Sequence, residues 1–416
     1  MDLEYYCLDG LYFVSDLPGL PLPTAEKPGP TVPLRWLFDR EPSACRATFC
    51  VSDLRQLSAV REDIRFLSPN RIAGSGPSSP RLQKEVAAQT LQAVNIRHPR
   101  WRDALRYLDN HADQKRVNLL AVGDVGGTLL TALKLMGSEV ISSIGICDLN
   151  EKNTARWVAE MGQISWPDNS PALPVVEAVA PENLFDCDIV IFAATKSIPA
   201  VGSGVADVRM AQFEANHPIV EHYARLARSS GFRGLFLVMS DPVDPLCRAA
   251  YLASNRGSDG EWDGQGLLPE QIQGLGLGVM NARAADLARR EDRFSSFLQE
   301  GRCFGPHGKG LIVTNSIDHY DDALSLALTQ EVLEANLRIR ELGYKPYVAP
   351  AISSGAMQLF LLMRGQWHYG SVCLGGVWMG CRNRFAAAGL ETEALHLPDA
   401  LFARLVQTET ALRSIL

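Results

Sequence analysis

From residue 117 onward, short apolar runs alternate with segments of helical periodicity. The runs VNLLAV, SSIGIC, CDIVIF and GLFLVM contain few polar positions, so they predict strands that are buried on both faces. Between them, GGTLLTALKLMG and HPIVEHYARLARSSG place apolar residues at helical spacing. This alternation predicts an α/β fold, with a doubly wound parallel sheet that helices cover on both faces.

The C-terminal part has a different pattern. GQWHYGSVCLGGVWMGCRN predicts antiparallel strands, and DALFARLVQTETALRSIL predicts a terminal helix. We therefore expect residues 116–245 to form a doubly wound Rossmann-type domain and residues 246–416 to form an α+β domain.

Residues 1–115 have a third composition. The segments DLPGLPLPTAEKPGPTVP and GSGPSSP predict loops, because proline and glycine interrupt regular structure. RATFCVSDL predicts a short strand, whereas RLQKEVAAQTLQAVNI and RWRDALRYLDN predict helices. We expect a small N-terminal accessory module of mixed α/β structure, joined to the rest by a polar linker over residues 109–116.

Composition narrows the class of protein. A hydrophobic fraction of 46% with 21% charged residues is typical of a globular protein, and a net charge of −7 without a basic run argues against a nucleic-acid partner. The nine cysteines lack zinc spacing and predict reduced thiols rather than a disulfide framework or a metal site. The N-terminus has no basic signal segment and no apolar run is long enough for a membrane span, so we expect a cytoplasmic protein.

The first apolar run continues into AVGDVGG, which has the strand–turn–helix context of a dinucleotide fingerprint. The candidate cofactor-binding residues of this turn are Val122, Gly123, Asp124, Val125 and Gly126. The second glycine of the fingerprint would let the backbone approach a pyrophosphate, and the third would let helix and strand pack closely. Ala121 stands where the fingerprint has its first glycine, which is a departure from the pattern.

Asp148, at the end of the next predicted strand, is the candidate ribose ligand. A carboxylate there accepts hydrogen bonds from a ribose diol and repels a 2′-phosphate, which favours NAD over NADP. The alternative is that Asp148 only caps the turn in DLNEKN.

Several later segments, taken in order, resemble the lactate/malate dehydrogenase family. These are VGDVGGTLLTAL, ICDLNEKN, CDIVIFAAT, RMAQFEANHPIVEHYARLA, LVMSDPVDPLC, GLGLGVMNARAADLA and GPHGKG, all within residues 117–416. The resemblance implies an NAD-binding domain followed by a catalytic domain, and a homodimer or homotetramer. Residues 1–115 have no counterpart that we can place.

The resemblance also assigns site residues. Alone, His307 in FGPHGKGLIV is better explained by a glycine turn than by catalysis. In register with the family, His307 falls on the proton-donating histidine, Arg283 on the arginine that holds the substrate carboxylate, and Arg209 on the mobile-loop arginine that polarises the carbonyl. Ala194, at the end of the fourth strand, falls among the cofactor-binding residues.

Three positions depart from the family pattern. Met280 stands where the family has the aspartate that orients the histidine, Asp241 replaces an asparagine, and Lys309 replaces an acidic residue. One hypothesis is that Asp241 has taken over as the partner of His307, and the rival is that the fold persists with altered or lost chemistry. The resemblance also suggests a cis peptide bond at Asp241-Pro242.

The substrate remains open. By one alignment the family's specificity position is Ser197, and by another it is Ser203; neither supplies the arginine that selects a second carboxylate, and Lys196 is the only cation of the loop before Arg209. We therefore expect an NADH-dependent 2-oxo acid reductase for which oxaloacetate is a poor substrate. The alternatives are a non-catalytic NAD-binding homologue and a dehydrogenase for another carbonyl compound.

Overall fold

The computed structural model describes residues 3–77, 79–105, 114–168, 172–196, 208–344 and 350–416. The strands are β1 (Glu4–Leu8), β2 (Leu11–Ser15), β3 (Leu34–Phe38), β4 (Thr48–Cys50), β5 (Gln92–Asn95), β6 (Lys115–Leu120), β7 (Ile141–Cys147), β8 (Val175–Ala178), β9 (Ile189–Phe192), β10 (Leu235–Val238), β11 (Ile272–Gly274), β12 (Arg302–Phe304), β13 (Ile312–Thr314), β14 (His368–Leu374), β15 (Val377–Ala386) and β16 (Gly389–Thr392). The helices are α1 (Pro80–Ala87), α2 (Trp101–Ala104), α3 (Asp124–Met136), α4 (Glu151–Gly162), α5 (Val208–Ser229), α6 (Val243–Ser254), α7 (Leu277–Arg290), α8 (Phe297–Glu300), α9 (Asp322–Glu341), α10 (Ser353–Met363) and α11 (Asp399–Arg413).

A nine-stranded sheet runs through the molecule in the order β16-β15-β14-β11-β10-β9-β6-β7-β8. The six strands from β8 to β11 are parallel, and β14, β15 and β16 extend the sheet antiparallel. The chain builds outward from β6 to β8 and then returns to start again at β9, so the strand order reverses between β6 and β9. This is the predicted doubly wound fold, and such a reversal is where ligands bind in open α/β sheets.

The parallel part of the sheet forms because its strands are apolar on both faces. The side chains of Val117 and Leu119 in β6, Ile144 in β7 and Ile191 in β9 are completely buried. Strand β11 also belongs to this sheet, so the parallel sheet continues past residue 245, the predicted end of the Rossmann-type domain.

The N-terminal residues form a separate five-stranded sheet in the order β1-β2-β3-β5-β4. Strands β1 and β2 are joined at Asp9 and Gly10, which both have positive φ angles, 50° and 78°. The predicted helix over RLQKEVAAQTLQAVNI is correct only in its first half. Residues 92–95 form β5 instead, because they pair with β3 on one side and β4 on the other, and this tertiary pairing overrides local propensity.

Buried polar contacts join this N-terminal sheet to the rest of the chain. Arg46 Nη1 donates to the carbonyl oxygen of Leu390 at 3.5 Å, and the backbone N–H of Ala47 donates to Glu270 Oε2 at 3.2 Å. Burial raises the pKa of Glu270 to about 8. The two regions on either side of the proposed boundary at residue 115 therefore share a buried interface.

Two further features bear on the composition analysis. All nine cysteines are free thiols, and burial raises the pKa of Cys50 to about 12, which keeps that thiol protonated. Among the described residues, no helix has both the length and the apolar character required to cross a membrane.

Candidate active site

The predicted cofactor turn lies where β6 passes into α3, beside the reversal in strand order. Gly123 is the N-cap of α3, and no side chain caps the N–H groups in the first turn of this helix. A Cβ atom added at Gly123 would meet nothing within 4 Å, whereas one added at Gly126 would lie 2.0 Å from the carbonyl oxygen of Ala121. The turn is therefore open where a phosphate would approach and closed where helix and strand meet, which is the arrangement that the fingerprint requires.

Ala121 has a φ angle of +70°, in the left-handed region that glycine enters without strain. A non-glycine residue there costs about 1–2 kcal/mol. The backbone thus keeps the conformation of the fingerprint's first glycine although the residue is alanine.

Asp148 follows β7 and lies beside this turn. Its Oδ2 accepts a hydrogen bond from the N–H of Val122 at 3.0 Å and one from Asn153 Nδ2 at 3.3 Å, while its Oδ1 accepts from the N–H of Asn150 at 2.9 Å. Asp148 therefore caps the DLNEKN turn, as the alternative interpretation predicted, and also stands at the position that the ribose interpretation requires.

His307 lies in the turn between β12 and β13. Three glycines with positive φ shape this turn: Gly305 at 84°, Gly308 at 142° and Gly310 at 93°. His307 Nδ1 is 2.9 Å from the carbonyl oxygen of Gly276, which follows β11 at the carboxyl edge of the sheet. Because a carbonyl oxygen only accepts, Nδ1 carries the hydrogen, and Nε2 is the nitrogen left to exchange a proton.

Gly276 brings the backbone close to this histidine. A Cβ atom at Gly276 would lie 2.7 Å from His307 Cβ and 3.0 Å from Val243 Cγ2. Contacts this short force a displacement, so glycine is needed here for the carbonyl of residue 276 to reach the imidazole.

Asp244, in the first turn of α6, fixes the backbone of the histidine turn. Its side chain is only 3% exposed; Oδ2 accepts from the N–H of His307 at 3.2 Å, and Oδ1 accepts from the Ser371 hydroxyl at 2.7 Å. The carboxylate therefore links α6, β14 and the histidine turn.

The ends of β9 and β10 are joined by Asn216 of α5, which is completely buried. Its Oδ1 accepts from the N–H of Lys196 at 2.9 Å, and its Nδ2 donates to the carbonyl of Asp241 at 2.8 Å. The Ser240 hydroxyl donates to the carbonyl of Ala194 at 2.8 Å. These bonds hold Ala194 and Asp241 at the same edge of the sheet, and Asp241-Pro242 is a cis peptide, as expected.

Several known proteins are similar to this chain in sequence or in fold. No family model matches the chain. In sequence it is similar to the L-lactate dehydrogenases of Mesomycoplasma hyopneumoniae (23% identity over 204 residues, 48% of this chain and 58% of the relative) and Mycoplasma pneumoniae (28% over 193 residues, 46% and 56%).

Two solved structures are similar in fold. One is a lactate dehydrogenase from a deep-sea metagenome library, with a TM-score of 0.57 and 18% identity over 73% of this chain and 98% of that one. The other is the minor L-lactate dehydrogenase of Enterococcus mundtii, with a TM-score of 0.57 and 17% identity over 73% and 97%.

The chain is lactate/malate dehydrogenase-like.

The sequence matches span only 58% of the length of the first relatives, so they show a similarity to part of those lactate dehydrogenases and do not establish an activity. The predicted doubly wound Rossmann-type fold is confirmed.

In this lactate/malate dehydrogenase-like protein, the predicted substrate arginine Arg283 lies on α7 and is half-buried. Its Nη1 is 3.8 Å from the sulfur of Met280 and 3.5 Å from the carbonyl oxygen of Val332 on α9. Met280 is 2% exposed and belongs to an apolar cluster, so the position where the family has an orienting aspartate is filled by packed hydrocarbon and sulfur.

The hydrogen bonds that the structure assigns to His307 run to Gly276 and Asp244. The pairing of Asp241 with His307 stays a prediction. Lys309 is exposed, Arg209 is the second residue of α5 with its side chain outside the described part of the chain, and both Ser197 and Ser203 lie outside the described residues.

Four residues of this site are assigned no role from the sequence: Gly276, Asp244, Ser371 and Asn216. They lie far apart along the chain, and their roles come from tertiary contacts. Only Gly276, in the glycine-rich GLGLG, stands in a segment whose composition indicates a close backbone approach.

Proposed function

We propose that the protein is an NAD-dependent 2-hydroxy acid dehydrogenase-like oxidoreductase that reduces a 2-oxo acid. The observation that carries the proposal is the placement of His307, whose imidazole is held through Nδ1 by the backbone at the carboxyl end of β11. That edge belongs to the same parallel sheet that presents the open glycine turn and Asp148 at its reversal point.

The residues of the turn fit a dinucleotide. The uncapped N–H groups at the start of α3 suit a pyrophosphate, and the Asp148 carboxylate suits a ribose diol. Bound NADH would supply the hydride for the carbonyl carbon. We propose NAD rather than NADP, because a 2′-phosphate would face Asp148.

Residues of the protein donate the proton and stabilise the charges of the substrate. As negative charge grows on the substrate oxygen, a protonated His307 donates a proton from Nε2, and the guanidinium of Arg209 stabilises the same oxygen. Arg283 holds the substrate carboxylate, for which a planar guanidinium provides two parallel hydrogen bonds. The Gly276 carbonyl orients the imidazole as a carboxylate would, although it brings no full negative charge to stabilise the imidazolium.

For the substrate, we propose a monocarboxylic 2-oxo acid with a neutral side chain. Neither candidate specificity position, Ser197 or Ser203, supplies an arginine, and a dicarboxylate needs its second charge paired once water is excluded. From the family resemblance we propose a homo-oligomer, and from the reduced cysteines we propose that it acts in the cytoplasm.

The test is NADH oxidation with pyruvate, larger neutral 2-oxo acids and oxaloacetate, with NADH-binding fluorescence and NADPH as controls. We expect turnover with the neutral acids. Oxaloacetate as the best substrate contradicts the loop argument, and kcat/KM values that favour NADPH contradict the choice of cofactor.

A second candidate function is a divergent, non-catalytic NAD-binding protein. The observation in its favour is the burial of Met280 among apolar residues, where the family has an aspartate. NADH binding without oxidation across the whole panel supports this candidate against the first.

Substitution of Arg283 tests the proposed binding of the substrate carboxylate. Removing one partner of a desolvated charge pair costs about 2–5 kcal/mol, so Arg283→Ala is expected to raise KM for the 2-oxo acid while NADH binds as before. Arg289→Ala, an exposed arginine on the same helix, is the matched control and leaves both unchanged.

A further inference from the structure

Side chains from the β7–α4 region form hydrogen bonds with the backbone of Val122. The N–H of Val122 donates to Asp148 Oδ2 at 3.0 Å, and the carbonyl oxygen of Val122 accepts from the indole Nε1 of Trp157 at 2.9 Å. Asn153 Nδ2 makes a longer contact to the same carbonyl, at 3.4 Å. Both peptide groups of Val122 are thus bonded to residues of the β7–α4 region.

The preceding peptide is held as well. The N–H of Ala121 donates to the carbonyl of Cys147 at 2.8 Å, at the end of β7. Three consecutive peptide groups around the left-handed Ala121 therefore have fixed partners, and such over-determination is what keeps a strained residue in a sparsely populated conformation.

Trp157 reaches the turn through a close approach to α3. A Cβ atom at Gly127 would lie 2.3 Å from Cζ2 of the indole, so the ring occupies the space that the absence of a side chain at Gly127 leaves. The guanidinium of Arg156 covers the same ring at 4.7 Å from its centroid. The indole is therefore seated in one position, from which its N–H meets Val122.

We propose that Trp157 is a positioning residue for the dinucleotide: with Asp148 it clamps the Val122 peptide groups and so holds Ala121 in the conformation that the missing glycine would adopt freely. This inference rests on the proposed function, since the ligand of the turn is taken to be NADH. Trp157 acts through the backbone of the turn and not by contact with the reacting atoms.

The clamp predicts a coupling between residues 157 and 121. Trp157→Phe keeps an aromatic ring beside Gly127 but removes the N–H together with part of the indole, which leaves the Val122 carbonyl with a weaker partner and lets the strained Ala121 relax. We expect NADH to bind about tenfold more weakly, a loss typical of one hydrogen bond. In an Ala121→Gly background the same substitution is expected to cost about threefold or less, because glycine holds the conformation without the clamp.

The experiment measures NADH affinity by fluorescence and the midpoint of thermal unfolding for the parent, W157F, A121G and the double variant. Trp166→Phe, at a largely exposed tryptophan, is the matched control and should bind NADH as the parent does. In the thermal series, A121G should raise the midpoint more in W157F than in the parent.

Unchanged NADH affinity in W157F, or the same loss in both backgrounds, overturns the clamp. A parent protein that binds no NADH overturns the proposed function instead, and the thermal series, which needs no ligand, still decides whether Trp157 and Ala121 are coupled.

Discussion

Two glycine-rich turns lie at the carboxyl edge of the same sheet, and each lacks a residue that the related dehydrogenases use. The cofactor turn has Ala121 in place of a glycine, and the structure keeps the glycine-like φ angle of +70°. In the histidine turn, Met280 stands where the resemblance places the aspartate that orients the histidine, and the carbonyl of Gly276 accepts a hydrogen bond from His307.

The two compensations differ in kind. In the cofactor turn, the side chains of Trp157 on α4 and Asp148 after β7 form hydrogen bonds with a strained backbone. In the histidine turn, backbone and a buried carboxylate support a side chain. The cofactor turn has the φ angle that the fingerprint's glycine would adopt, whereas in the histidine turn the Gly276 carbonyl supplies a hydrogen-bond acceptor without the charge of an aspartate.

The largest effect is expected from His307→Gln, which removes the proton donor. We expect the step in which hydride and proton are transferred to slow by about 10²–10⁴-fold, while NADH binding is preserved. Single-turnover NADH oxidation measures it, and His319→Gln, at an exposed histidine, is the control. Full activity in H307Q removes the histidine turn from the mechanism.

Gly276→Ala tests whether a backbone close approach positions the imidazole. The new Cβ would lie 2.7 Å from His307 Cβ, and a displacement of about 1 Å near the chemistry costs about 10²-fold in turnover. Gly162→Ala is the control, because a Cβ there meets nothing within 4 Å. Parent-like kcat in G276A contradicts this account of the turn.

Asp244→Ala tests whether the Asp244 carboxylate stabilises the backbone of the histidine turn. It leaves the Ser371 hydroxyl and the N–H of His307 without their buried acceptor, which costs about 1–3 kcal/mol for each unpaired donor. Urea unfolding measures the loss, and Ser371→Ala is expected to lose less. Asp286→Ala, at a half-exposed carboxylate on α7, is the control; an equally small loss in D244A and D286A would show that Asp244 supports nothing.

The smallest effect is expected from Ala121→Gly, which relieves the left-handed alanine. We expect an increase of about 1 kcal/mol in the free energy of unfolding. Ala155→Gly, on the exposed side of helix α4, is the control. It is expected to decrease the free energy of unfolding by about 0.5–1 kcal/mol. A destabilised A121G would mean that Ala121 is not strained.

Local pattern was sufficient for part of the site. The apolar runs predict the parallel strands, and the fingerprint predicts close helix–strand packing at Gly126, where an added Cβ would lie 2.0 Å from the carbonyl oxygen of Ala121. The hairpin between β1 and β2 was also within reach, since Asp9-Gly10 between apolar runs is a strong turn signal.

The rest depended on contacts between distant segments. Trp157 has no local feature that marks it as a partner of Val122, and Asp244 reads as an ordinary first-turn acid of α6 until β14 and the histidine turn pack against it. The segment of β5 is predicted as helix because its strand pairing with β3 and β4 joins residues that lie far apart along the chain.

The most direct test of the central claim is a single-turnover reaction of enzyme-bound NADH with a neutral 2-oxo acid, followed in parallel by NADH absorbance and a pH indicator. The account predicts that the parent oxidises NADH with uptake of one proton for each hydride transferred, and that H307Q binds NADH equally but oxidises it at least about 10²-fold more slowly. NADH that stays bound and unoxidised in the parent protein, across the whole range of 2-oxo acids, would contradict it.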